Sequence, residues 1–179
     1  MINESHYWKQ PLLDSALKFA EYQELSVIDD ETYVKIEKDM FVGFYSIRKL
    51  LDTETKVTND LKSKKHKITW FPHIGGNVTW RNNHKLDELY NLNKSHSEER
   101  DLWFISSRII HSFIFNLCVN EEGGFDGILF TSDTDKNKKL YTLTVEQIIK
   151  LFELVGNNHV NRIYWERCPE TGKEVTSAT

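Results

Sequence analysis

A chain of 179 residues with 28% charged and 39% hydrophobic residues suits one compact domain and excludes a disordered polymer. Its formal charge of −4 argues against a surface that binds nucleic acid all over, and leaves room only for a local basic patch. No run reaches the roughly 18 apolar residues of a membrane helix, and the start MINESHYWKQ has no apolar signal core, so a cytoplasmic protein that avoids the membrane is expected.

Leu12, Leu13, Ala16, Leu17 and Ala20 recur at helical spacing and predict a helix over 12–25, with Pro11 near its first turn. A second helix begins after Asp29, Asp30 and Glu31, whose charges suit the positive end of a helix dipole. Its stripe of Tyr33, Ile36, Met40, Phe44, Ile47 and Leu51 is the cleanest in the chain. The polar stretch DTETKVTNDLKSKKHK follows, and KITWFPHIGGNVTW then predicts two strands around Gly75-Gly76 that carry Trp70 and Trp80. HKLDELYNL fits a short helix or a turn.

Ser95 and Glu98 have the spacing of a capping box, which predicts a helix over about 96–112 with Leu102, Ile105, Ile109 and Ile110 buried. After Ser112 the period changes to two: Phe113, Phe115, Leu117 and Val119 fall on one side, with Asn116 and Cys118 on the other. FDGILFT and LYTLT complete a three-stranded meander. Thr144 and Gln147 predict another capping box ahead of a helix that buries Val145, Ile148, Ile149, Phe152 and Val155, with Gly156 placed as a left-handed cap. VNRIYWERCPETGKEV reads as a hairpin turning at Pro169 to Gly172, and the tail TSAT as frayed. The pattern is a single α+β domain over 1–179, helical in its first half and strand-rich in its second.

Motif chemistry is sparse. Asp133, Asp135 and Asn137 alternate like the first ligands of a calcium loop, but Lys138 and Thr144 stand where that loop needs its glycine and bidentate glutamate. Cys118 and Cys168 form neither a zinc spacing nor a disulfide framework, so no metal or cofactor is expected. Lys62, Lys64, Lys65 and Lys67, beside Trp70 and Trp80, supply the basic and aromatic mixture with which proteins bind RNA, although such a run is also a common solvated face.

In SSRIIHSF a histidine, His111, interrupts an apolar run at the point where helical period gives way to strand period. An imidazole there can serve the free carbonyls of a helix end. This segment, together with the amphipathic helix carrying FYSIRKLL, also resembles the terminal motif of HEPN-like helical proteins of toxin–antitoxin and phage-defence systems, many of them metal-independent ribonucleases. The resemblance implies His111 as the acid–base group acting on an RNA 2′-hydroxyl, and an arginine ahead of it holding the phosphate. Phe104, Ile105 and Ser106 occupy the family's arginine positions, so Arg108, one turn before His111, would have to take that role. Arg100, on a continuous helix, would lie roughly 16 Å from His111 and out of reach of a shared phosphate.

The expectation is a protein acting mainly by binding a protein partner or another copy of itself, as an accessory component of a toxin or defence system. A divergent HEPN-like ribonuclease is the alternative, and a self-associating structural subunit the third reading.

Overall fold

The computed structural model describes residues 2–179. Four longer helices, α1 (His6–Gln23), α2 (Asp30–Asp52), α5 (Leu102–Ile110) and α6 (Val145–Gly156), are joined by two short ones, α3 (Asn59–Ser63) and α4 (Leu86–Leu89). Strands β1 (Lys65–Pro72), β2 (His96–Asp101), β3 (Ser112–Val119), β4 (Phe125–Ser132) and β5 (Lys139–Thr144) form an antiparallel sheet in the order β2-β1-β5-β4-β3. A separate ribbon pairs β6 (Ile163–Arg167) with β7 (Glu174–Ala178). The fold is α+β, and among the described residues no helix is long and apolar enough to cross a membrane.

The helix ends follow their local chemistry. The Asp29 side chain accepts from the Thr32 N–H at 2.8 Å, and Thr144 and Gln147 cap each other's backbone reciprocally at the start of α6. The stripe of α2 buries Ile36, Met40, Phe44, Ile47 and Leu51, and leaves Tyr33 at its margin. One face of the sheet is covered by the four longer helices around Phe19, Phe44, Phe125, Phe130 and Phe152. The excursion between β1 and β2 covers part of the other face, setting Val78, Leu89 and Tyr90 against Ile114 and Leu140. Tyr90 Oη donates to the Lys136 carbonyl at 2.5 Å, and the Val78 N–H to Asn137 Oδ1 at 2.8 Å, which ties that excursion to the β4–β5 turn.

The fold departs from the sequence expectations in several places, among them β3, where irregular register between Ser112 and Ile114 sets Phe113 and Phe115 on opposite faces of the sheet. Residues 96–101 are strand rather than helix, and the cap of α5 is Asp101, which accepts from the Phe104 N–H at 2.8 Å. Gly75 and Gly76 do adopt positive φ, but the chain does not return as a strand, and β1 takes its neighbours from β2 and β5. α1 starts at His6, so Pro11 lies inside the helix. Gly156 ends α6 as a close-packing residue: a Cβ there would meet the Leu13 side chain at 2.5 Å, and Asn157 forms the cap. The tail is held rather than frayed, with Ala178 in β7 and buried.

Candidate functional site

Cross-strand partners share a face of a sheet. Trp70 lies opposite His96, Ile68 opposite Glu98, and His66 opposite Arg100. On the other side of β1, Trp70 lies opposite Tyr141 and Pro72 opposite Lys139. His96, Glu98 and Arg100 therefore project from the same face as Tyr141 and Lys139, the face that α5 covers. Asp101 converts strand to helix without a loop, capping α5 while also pairing with Lys65 Nζ at 2.7 Å. That joint brings Phe104 back onto Arg100. The guanidinium groups of Arg100 and Arg108 each lie 4.5 Å from the Phe104 ring centroid.

Two carboxylates balance these cations. Glu98 accepts from Arg100 Nε at 2.9 Å, from Lys139 Nζ at 2.5 Å and from Tyr141 Oη at 3.4 Å. Asp135, on the β4–β5 turn, stands 2.5 Å from Arg108 Nε, close enough for an ion pair although Nε has no aligned hydrogen-bond acceptor. Lys139 also lies over Trp70, 4.3 Å from its ring, and Trp70 stacks on His96 with centroids 4.5 Å apart. Burial pushes the Glu98 carboxyl upward, but hydrogen bonds from Lys139 and Arg100, with their charges, outweigh it and hold the group below its ordinary value. Burial, reinforced by Asp135 and Glu98, raises the Tyr141 hydroxyl far above the usual tyrosine range, so it stays a protonated donor.

Glu98→Gln is expected to destabilise the protein by about 1–2 kcal/mol at neutral pH, less than for a fully buried pair because its cationic partners are partly exposed. A group whose folded pKa is depressed contributes stability above its unfolded value, and loses it as pH falls through the folded value. The gap in urea midpoint between wild type and Glu98→Gln should therefore narrow below pH 4.5, the ordinary value for this carboxyl. A gap that stays constant into stronger acid would contradict this account.

His111 occupies the C-cap position of α5. Its backbone N–H donates to the Ser107 carbonyl at 3.1 Å, so the backbone and not the imidazole serves the helix end. The residue is exposed. Helical spacing places it within about 20° of Phe104 and near Arg108 on the helix surface.

The lysine run does not act as one patch. Lys62, on α3, borders a shallow cleft with Glu54, Asn59 and Thr176, while Lys64 is the exposed C-cap residue of α3. Lys65 and Lys67 line a cleft of about 300 Å³ with His66 and with Gln147 and Lys150 of α6. Burial first, and the Lys64 charge second, lower the His66 pKa there. Nor do the two tryptophans form one platform: Trp70 lies within the Glu98 cluster, whereas Trp80 is 74% exposed on the excursion, with Arg81 5.2 Å from its ring. Asp133 pairs with Lys136, Asp135 with Arg108, and Asn137 with the Val78 N–H, so the calcium-like run is engaged within the fold.

The residues that motif reading missed are Glu98, Arg100, Phe104, Asp135 and Lys139. One signal was present: His96, Glu98 and Arg100 recur at every second position, the period of a strand. Compared with known proteins, the chain matches no family model, no curated protein and no solved structure.

Proposed function

We propose that this protein acts by binding, as an accessory or regulatory component of a bacterial-type toxin or defence system. The system assignment rests on the HEPN-like resemblance of the α2 and α5 segments. The binding assignment rests on one observation: Arg100 and Arg108 are both charge-balanced in place, by Glu98 and Asp135, and both held over the Phe104 ring. Guanidinium groups held this way give a preformed, oriented recognition surface. A phosphate entering a catalytic site would have to compete with Asp135 for Arg108. Trp103 of α5 offers a second half-exposed aromatic, positioned by α2: its indole N–H donates to Asp52 at 3.1 Å, and Arg48 lies 3.6 Å from its ring.

The ribonuclease reading keeps one specific support, the exposed His111 one turn beyond Arg108. Labelled RNA incubated with the purified protein in chelator separates the two. The binding reading expects intact RNA with wild type and with His111→Ala alike. Cleavage by wild type that disappears in a folded His111→Ala variant would replace it with metal-independent RNA hydrolysis. Salt-sensitive RNA retention without cleavage, weakened by neutralising Lys64 and Lys65, would make RNA the bound partner.

A further inference from the structure

The β6–β7 ribbon has two unlike edges. β7 faces the body: Ala178 is buried, its N–H donates to Asn59 Oδ1 at 3.4 Å, and Thr176 borders the α3 cleft. All five residues of β6 are exposed, including Ile163, Tyr164 and Trp165, the last at 60%. A lone two-stranded ribbon is marginal in water, and an uncovered apolar edge is a template for another strand.

Hydrogen-bond parity says which groups that edge offers. Arg162 and Thr179 exchange N–H and C=O bonds at 2.9 and 3.0 Å, and the Cys168 N–H donates to the Lys173 carbonyl at 2.9 Å. Residues 162, 164, 166 and 168 are thus turned toward β7. Ile163, Trp165 and Arg167 direct their backbone N–H and C=O groups to the open side.

We propose that the β6 edge is occupied by a second copy of this chain, the two β6 strands pairing antiparallel about a two-fold axis at Tyr164. Ile163 then exchanges backbone hydrogen bonds with Trp165 of the partner subunit, and the ribbon becomes a four-stranded sheet. The same register sets Arg162 opposite Glu166 of the partner subunit, twice by symmetry, so that opposite charges flank an aromatic and apolar centre. A two-fold at Trp165 instead sets Glu166 against Tyr164 and Arg167 against Ile163, and one at Glu166 opposes like charges. Charge complementarity therefore selects the Tyr164 register.

The test is the mass of the full chain by light scattering and sedimentation over a concentration series, with circular dichroism to verify folding. Wild type is expected at twice the 21.1 kDa chain mass. Arg162→Glu opposes two pairs of glutamates and Glu166→Arg two pairs of arginines, so each variant alone should dimerise on the order of tenfold more weakly. Mixing the two variants, or combining both changes in one chain, restores opposite charges at both positions and should restore the dimer. A wild type that is monomeric up to roughly 100 µM (far above a typical specific Kd) overturns the proposal. So does a dimer unaffected by either variant, or a mixture of folded variants that fails to recover.

Discussion

Phe152→Ala is expected to lower stability by about 3–5 kcal/mol, measured as a shift in the urea midpoint. Phe152 is fully buried on α6, with its ring 5.2 Å from that of Phe44 and 5.6 Å from that of Phe19. It enters a recess left by Gly43 on α2, where an added Cβ would overlap the ring itself. The ring is wedged between the fully buried Phe19 and Phe44 rings of α1 and α2, so truncation leaves a cavity that close packing cannot readily collapse. Gly43→Ala alone should destabilise by about 1–3 kcal/mol through overpacking. In the Phe152→Ala background the same methyl enters empty space, so its cost should vanish or reverse. Strict additivity of the two changes would show that ring and glycine do not meet as described.

Gly127→Val should cost about 2–5 kcal/mol, combining backbone strain with overpacking. Gly127 sits in the interior strand β4 at φ +146°, between Cys118 of β3 and Thr144 of β5. A Cβ there would overlap the Leu143 carbonyl oxygen and stand 2.9 Å from Thr144 Cα. Both obstacles are main chain, so no side-chain rotation relieves them. Because Thr144 is also the cap of α6, the lesion should spread: hydrogen exchange at the Gln147 amide is expected to accelerate along with the loss in Tm. An unchanged melting temperature would refute the close approach.

The elements legible in the sequence are those whose signals are local. α2 announced itself by its stripe and its Asp29 cap, α6 by the reciprocal Thr144–Gln147 pair, and the β3–β5 meander by its strand-like runs around the EEGG and SDTDKNK turns. The ribbon at Ile163–Ala178 was likewise readable from its turn residues. β2 was not, because HSEERD has no apolar residue whose period could distinguish strand from helix. It is an edge strand, where charged side chains are commonplace and discourage further pairing. That one misassignment hid the candidate site. On a continuous helix Arg100 stands far from His111, but with strand giving way to helix at Asp101, Arg100 and Arg108 lie at the same ring. The Trp70–Trp80 hairpin failed for a related reason: the neighbours of β1 come from distant parts of the sequence, which no local turn signal can specify.

The order of strands across the sheet also sets the order in which the molecule can assemble. α5 carries the chain from β2 at one margin to β3 at the other, and the two halves of the sheet meet only where Thr69–Pro72 pair with Lys139–Thr142. The β3–β5 meander closes through short loops and can form early, whereas the β1–β5 seam must bring together segments separated by about two-fifths of the polypeptide. Refolding should therefore be limited by closure of this seam, with the meander gaining protection first. A ribosome-bound chain halted before Lys139 would hold β1 and β2 with one side still unpaired.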